Sequence, residues 1–198
     1  MKDLHMVIDV ETMGLYGAPF SVAAVVVNSK GEELESIMLT CNREYVDTMD
    51  EALDFYGSSE QCFRDAEWVK KNVPTVPTEE LVEEDQMYLR FYSFFLRWKD
   101  KCNIWADCPY PCETGFFLRM KQYCLNNTLW FDLYPLLDVT SIVFATGRCP
   151  LTTFGRLPQH LPEHNPLNDA RHSASLLTRF LDQLGTFQTL HHYAEHSS

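Results

Sequence analysis

The stretch Met6-Val7-Ile8-Asp9-Val10-Glu11-Thr12-Met13-Gly14 places two carboxylates in an otherwise apolar segment. On a strand, residues two positions apart point to the same face, so Asp9 and Glu11 share one face. Two acids on one apolar face repel each other and are costly to bury. A divalent cation between them removes that cost, since Mg²⁺ and Mn²⁺ prefer oxygen ligands. The alternative is an edge strand with both acids in water, and the apolar residues around them favour a central strand.

The bulk properties of the chain favour a folded protein outside the membrane. Its 198 residues suit one domain with a sizeable core. A net charge of −12 argues against a broad electrostatic grip on duplex nucleic acid, but is compatible with an enzyme that holds a strand end through metal ions. No apolar run approaches the ~20 residues that span a bilayer, and we expect no secretory segment. We therefore expect a cytoplasmic protein that makes no membrane contact and whose seven cysteines are reduced thiols.

The amino-terminal part of the chain predicts a meander of three antiparallel strands. The strands are expected at residues 6–11, 19–28 and 35–41, where apolar and β-branched residues are concentrated. The turn at 29–32 contains Gly31, which is able to adopt a positive φ. Short turns between successive strands indicate antiparallel pairing.

An acidic helical insertion is predicted around 42–101, after the meander. It contains a short helix near 63–70 and a long amphipathic helix over 81–98, for which Thr78 is expected to provide the N-cap. The aromatic face of the long helix fits either the core or a homodimer contact, and we favour the core.

The remainder of the chain alternates strands with helices. Strands are predicted at 103–106 and 129–133, and helices from residue 113, over 136–145 and over 168–185. The order β-β-β-α-β-α-β-α predicts an α/β fold, in which a mixed sheet combines a three-stranded antiparallel meander with parallel strands and carries helices on both faces. One domain is expected over residues 1–185, followed by a weakly ordered tail at 186–198.

A second group of candidate functional residues lies in His164-Asn165-Pro166-Leu167-Asn168-Asp169. Asp169 falls at the start of the last helix, where the helix dipole stabilises a carboxylate. It is a candidate metal ligand, and His164, on the loop before the helix, is a candidate general base for a metal-bound water. Taken alone, the same residues fit ordinary helix capping and an exposed loop histidine.

Two further acids follow the strand at 103–106. Asp107 lies at the end of that strand, and Glu113 lies in the first turn of the next helix. Either residue is able to complete a carboxylate cage around a metal, and either also fits a plain loop or capping acid.

Together these motifs resemble the three exonuclease motifs of the DEDDh superfamily, the DnaQ-like 3′–5′ exonucleases on a ribonuclease H-like fold. The first motif is Asp-x-Glu-Thr-x-Gly ahead of a meander, and the last is His-x4-Asp-Ala at the opening of a late helix. The resemblance spans residue 6 to about residue 184, and short phage-type and bacterial members are the most similar.

The resemblance implies a metal-dependent 3′–5′ exonuclease that acts on the 3′ ends of single-stranded or short DNA or RNA and releases nucleoside 5′-monophosphates. It implies two Mg²⁺ or Mn²⁺ ions. Their ligands are expected to be Asp9, Glu11, Asp107 and Asp169. His164 is expected to take a proton from the attacking water, and the terminal nucleotide is expected to contact Thr12, Met13 and Gly14, with Met13 or Leu15 wedged against the last base.

The middle motif departs from the family pattern, which places an aspartate shortly before an apolar pair in a helix. Here that spacing falls on Glu113, ahead of Phe116 and Phe117, while Asp107 is the aspartate but comes six residues earlier. We favour Asp107 because it lies where the strand opens onto the site, with Glu113 joining or replacing it as the alternative.

Two other functional classes fit the same residues. One is a non-catalytic ribonuclease H-like module that binds nucleic acid or a protein, and the other is a metal-dependent phosphatase or nucleotidase. Candidates for phosphate contacts are Arg148, Arg156 and Arg171. Cys108-x3-Cys112 is interpreted as loop or buried thiols in preference to a zinc site, because no second pair accompanies it.

Overall fold

The computed structural model describes residues 2–42, 59–124, 135–150, 152 and 154–195. The strands are β1 (Leu4–Thr12), β2 (Pro19–Asn28), β3 (Glu33–Cys41), β4 (Leu81–Val82), β5 (Cys102–Ala106) and β6 (Leu136–Asp138). The helices are α1 (Ser59–Asn72), α2 (Glu84–Trp98), α3 (Cys112–Cys124), α4 (Val139–Ala145) and α5 (Pro166–Glu195), with short 3-10 turns at Thr78–Glu80 and Pro158–His160. The six strands form one sheet in the order β4-β3-β2-β1-β5-β6.

Strand β1 lies inside the sheet, which excludes the edge-strand alternative for its two acids. Antiparallel β2 pairs with one side, where Asp9 lies opposite Ala23, and parallel β5 pairs with the other, where Ile8 lies opposite Ala106. Strands β2 and β3 are antiparallel, and Gly31 in the turn between them has a φ of +80°. Because β3–β4 and β5–β6 are parallel pairs, the predicted mixed sheet is confirmed.

Helices cover both faces of the sheet, as predicted. On one face, Ile8 and its neighbours pack in a core cluster with Phe91 of α2 and Phe116 of α3. On the other face, Val7 packs in a second cluster with Val143 of α4 and with residues of α5. The aromatic face of α2 therefore belongs to the core, and the period-2 alternation of β1 sends Asp9 and Glu11 to the face that α5 covers.

Two predicted element types are wrong, and long-range strand pairing explains both. Residues 81–82, predicted as helix after an N-cap at Thr78, form β4 because they pair with the end of β3. Residues 136–138, also predicted as helix, form β6 because they pair with β5, and Asp138 then caps α4 by accepting a hydrogen bond from the Thr140 backbone N–H. The strand predicted at 129–133 lies outside the described residues.

The last helix is longer than predicted at both ends. It begins at Pro166, two residues before the predicted start, which suits proline because the first helical N–H has no partner within the helix. Its backbone continues through Gly185 to Glu195. Within the described residues, no helix combines the length and the apolar character that crossing a bilayer requires.

Stability should depend on the aromatic cluster beneath the meander. Phe91 is fully buried and its ring lies against those of Phe116 and Phe117. We expect Phe91→Ala to lower the free energy of unfolding by about 3–5 kcal/mol, measured by urea denaturation, because it leaves a cavity. Phe144→Ala is the matched control, since this side chain on α4 is 70% exposed, and should change stability by less than about 1 kcal/mol. Equal effects of the two substitutions would contradict this description of the core.

Candidate active site

The two acids of β1 lie where several carboxylates converge. The pKa of Asp9 is raised well above its ordinary value, first by burial and then by the negative charges of four neighbours. In order of decreasing effect, these neighbours are Glu113, Asp169, Glu11 and Asp107. Three chain segments that are far apart in sequence, namely β1, residues 107–113 and the start of α5, thus bring carboxylates to one end of β1.

Glu11 lies closest to the last motif. One ligand atom from each of Glu11, His164 and Asp169 lies within 4.8 Å of the others, a separation suited to a shared metal ion. Burial raises the pKa of Glu11 to about 8, with contributions from the charges of Asp169 and Glu113. The predicted proximity of the first and last motifs is therefore present in the structure.

Asp169 fixes the loop that carries His164. Its Oδ2 accepts a hydrogen bond from the backbone N–H of His164 at 2.9 Å, and its side chain is 13% exposed. His164 adopts a φ of +58°, in the left-handed region that non-glycine residues seldom occupy. The Arg156 guanidinium binds the other oxygen of Asp169 and lies 3.4 Å from a carboxylate oxygen of Glu163. Burial raises the pKa of Asp169, and the hydrogen bond and charge of Arg156 oppose that effect.

Both candidates for the middle carboxylate reach the site. Asp107 follows β5 and is an exposed residue. Its carboxylate accepts a hydrogen bond of 3.3 Å from the Ser173 hydroxyl on α5. Glu113 is only 4% exposed in the first turn of α3, and the backbone N–H of Val10 hydrogen-bonds its carboxylate. Burial raises the pKa of Glu113 to about 8.

Glu113 and Asp107 differ in how strongly their charges affect the two acids of β1. The charge of Glu113 acts on both Asp9 and Glu11, whereas Asp107 acts on Asp9 and has the smallest effect of its four neighbours. Asp107, the residue favoured from sequence, stays a prediction as the fourth ligand. Glu113 is the stronger neighbour of the two acids of β1.

The segment after β1 forms a tight loop beside the carboxylates. A register shift between Glu11 and Thr12 ends the regular pairing with β2. The Thr12 hydroxyl then donates a hydrogen bond of 2.6 Å to the Gly14 carbonyl, and Gly14 has a φ of +86°. The backbone amides of Met13 and Gly14 donate within the loop, to the carbonyls of Ala18 and Thr12 respectively.

The side chains of this loop separate into core and surface. Met13 is 5% exposed and belongs to the core cluster, whereas Leu15 is 52% exposed. Of the two residues considered as a wedge, only Leu15 therefore offers its side chain to a ligand. Beside it lies a cavity of about 310 Å³ whose walls include Glu11, Thr12, Leu15 and, from α1, Trp68.

Two of the three arginines proposed for phosphate contacts lie away from the site. Arg171 makes two hydrogen bonds, of 2.8 and 2.9 Å, to Glu33 at the start of β3, near the opposite end of the sheet. Arg148 lies over the Phe180 ring, 5.5 Å from its centroid. Arg156 is the member of this set that reaches the carboxylates. Sequence alone did not separate the three, because their distances from Asp169 depend on how the loop before α5 folds back.

The described cysteines are free thiols, as predicted, and the metal-ligand cluster found among the described residues contains no cysteine. Cys112 Sγ lies 3.4 Å from the Thr12 hydroxyl, at the edge of the site. Burial raises the pKa of the Cys112 thiol to about 11, so it is a protonated neighbour of the carboxylates.

No protein-family model and no curated protein matches the chain. Solved structures with a similar fold include a moderately thermophilic exonuclease I from Methylocaldum szegediense, at 14% identity and a TM-score of 0.56, over 89% of this chain and 40% of that one. They also include the zinc-bound E. coli exonuclease I–single-stranded DNA complex, at 12% identity and a TM-score of 0.60, over 94% of this chain and 43% of that one. The chain therefore spans less than half of those proteins. At these identities, the similarity establishes the ribonuclease H-like fold.

The crowded carboxylates should make the metal-free protein less stable as pH rises. Native Glu113 keeps its proton up to pH about 8, whereas the unfolded chain releases it near the ordinary value of 4.5. The unfolded state is therefore favoured progressively between these pH values. In EDTA, we expect Glu113→Gln to gain stability over the unsubstituted protein as pH rises from 4.5 to 8, measured by thermal unfolding. If the difference in Tm between Glu113→Gln and the unsubstituted protein did not change with pH, the raised pKa of Glu113 would be contradicted.

Metal titration should separate Asp107 from Glu113. We expect Glu113→Gln to weaken Mn²⁺ binding at least ~10-fold and more than Asp107→Asn does, because Glu113 acts on both acids of β1. Isothermal titration calorimetry of the two single variants and the double variant provides the comparison. A larger loss for Asp107→Asn would identify Asp107 as the middle ligand.

Proposed function

We propose that the chain is a metal-dependent 3′–5′ exonuclease of the DEDDh type, which hydrolyses the terminal phosphodiester bond of single-stranded or short nucleic acid. The observation that carries the proposal is the convergence of five carboxylates and one histidine at the end of β1. A strand end held at this position would lose nucleoside 5′-monophosphates one at a time.

The donor set fits hard divalent cations. Carboxylate oxygens dominate it. Burial, followed by the negative charges of neighbouring acids, raises the pKa of Asp9 and Glu11, and a bound cation would offset both effects. We assign two Mg²⁺ or Mn²⁺ ions to Asp9, Glu11 and Asp169 together with the middle carboxylates, of which Glu113 is expected to contribute more than Asp107 because its charge acts on both acids of β1. Such ions stabilise the charge that develops on the attacking and leaving oxygens.

His164 is assigned the role of general base. Its imidazole lies in the same ligand cluster as Glu11 and Asp169, so it can accept a proton from a water held beside the phosphate. The hydrogen bond from its backbone N–H to Asp169 holds the loop in place. Asp169 therefore positions the histidine as well as serving as a ligand.

The charge distribution favours a strand end as substrate. Arg156 brings a guanidinium to Asp169 and is positioned to contact a phosphate oxygen once the substrate enters. With a net charge of −12, the chain is poorly suited to hold a long duplex by phosphate contacts. Thr12 and Gly14 line the adjoining cavity and are assigned to the terminal nucleotide. Met13, whose side chain lies in the core, is assigned to holding the loop between them.

Hydrolysis of a labelled oligonucleotide tests the proposal. We expect a 5′-labelled single strand to shorten from its 3′ end in Mg²⁺ or Mn²⁺, monitored by gel electrophoresis, and Asp9→Asn to reduce the rate by ~10² or more, because removing a single charge-stabilising group has effects of that size. Asp3→Asn is the matched control, since Asp3 is exposed just before β1, and should keep wild-type activity.

The outcomes also separate the alternative functions. Metal binding without shortening of either DNA or RNA would contradict the exonuclease and favour the non-catalytic module. Faster turnover of a mononucleotide ester than of an oligonucleotide would instead favour a phosphatase or nucleotidase. Full activity in Asp9→Asn would place the reaction elsewhere on the chain.

A further inference from the structure

A cation from the chain itself binds one of the proposed metal ligands. The Arg156 guanidinium binds Oδ1 of Asp169, and the backbone N–H of His164 donates a hydrogen bond of 2.9 Å to Oδ2. Both oxygens of this carboxylate therefore have partners within the chain. Only 22% of the Arg156 side chain and 13% of the Asp169 side chain are exposed, so solvent and salt screen this ion pair weakly.

The charge of Arg156 also reaches a second proposed ligand. Burial raises the pKa of Asp107, and the hydrogen bond from Ser173 and the charge of Arg156 oppose that rise. Burial likewise raises the pKa of Asp169, and Arg156 again opposes the effect. Arg156 therefore stabilises the ionised form of two carboxylates that are assigned to metal binding, as a bound metal ion would.

A divalent ion at Asp169 has to compete with this arginine. Two cations on one partly buried carboxylate repel each other strongly, so the contact between Arg156 and Asp169 is lost when the ion binds. The guanidinium has another acid within reach, since its Nε lies 3.4 Å from Oε1 of Glu163. The Glu163 side chain is 55% exposed and lies outside the proposed ligand set, so it is able to hold the arginine away from the metal.

We propose that Arg156 is an exchangeable internal counter-ion, which neutralises Asp169 in the metal-free protein and moves to Glu163 when a divalent ion binds. This inference rests on the metal site of the proposed function. Release from Asp169 frees N–H groups of the guanidinium, which then become available to a phosphate oxygen of the substrate. Metal binding and phosphate binding are thereby linked through one side chain.

A purely structural arginine would have the opposite effect on metal affinity. If Arg156 only held Asp169 in the orientation that a metal requires, its removal would weaken metal binding. If Arg156 competes with the metal for Asp169, its removal strengthens metal binding. The sign of the change in affinity therefore distinguishes an exchangeable counter-ion from a fixed support.

Calorimetric titration with Mn²⁺ alone, at one fixed pH, measures this sign. We expect Arg156→Gln to bind Mn²⁺ at least ~10-fold more tightly than wild type, the fold-change that corresponds to one hydrogen bond between charged groups. Arg148→Gln is the matched control, because Arg148 is an exposed arginine of the same connection between α4 and α5 and lies over Phe180, and it should keep wild-type affinity. Unchanged or weaker Mn²⁺ binding by Arg156→Gln would overturn the inference.

Glu163→Gln provides a second test that leaves Arg156 and Asp169 in place. It removes the acid that receives the released guanidinium, so we expect Mn²⁺ affinity to fall roughly 2- to 5-fold, the size expected for a partly exposed ion pair. In the Arg156→Gln background the same substitution should have little effect, since there is no guanidinium to receive. Equal losses of affinity in the two backgrounds would contradict the exchange.

The labelled-strand assay keeps this inference separate from the exonuclease proposal. Tighter Mn²⁺ binding by Arg156→Gln, together with no strand shortening by wild type, would support the exchange and contradict only the exonuclease. Strand shortening by wild type, together with equal Mn²⁺ affinities of wild type and Arg156→Gln, would contradict the exchange and leave the exonuclease proposal standing.

Discussion

Electrostatic repulsion among carboxylates at the end of β1 is the constraint on which the rest of the site depends. Burial is the main reason why Asp9 is costly to ionise, and the negative charges of four neighbouring acids add to that cost. The acids stay in this position because β1 is paired on both sides, with β2 and with β5. A central strand paired on both sides thus holds the acids together, and the resulting negative charge favours divalent cations.

The sheet also determines which distant residues meet. The alternation of side chains along β1 places its acids on the face that α5 covers. Parallel β5 ends next to these acids, so Asp107, the residue after β5, lies near them. The first turn of α5 brings Asp169 and the preceding loop brings His164. The insertion adds a wall through α1, which packs against Gly14 without room for a side chain there. The proposed catalytic residues and the wall of the adjoining cavity therefore come from different parts of the same chain.

Local patterns predicted much of this arrangement, because most of its elements have strong sequence signals. Strand β2 matches its predicted bounds to the residue, and the acids of β1 and the His164–Asp169 pair were recognisable by type and spacing. The errors share a cause: residues 81–82 and 136–138 follow helix-like patterns but pair as parallel strands with partners far along the chain. The contact of Trp68 with His164 is not predictable from sequence, because one aromatic in an acidic insertion carries no periodic signal.

Local sequence patterns are enough to predict a site for metal-dependent hydrolysis: two acids lie on one face of an apolar strand, and a histidine comes five residues before an acid at a helix start. Tertiary structure decided which groups share the site, since those distances depend on long-range pairing and packing. It brought Glu113 beside both acids of β1, sent Arg171 to Glu33 and Arg156 to Asp169, and set Trp68 against His164. Charge and periodicity are local properties of the chain, whereas proximity between distant segments is a property of the fold alone.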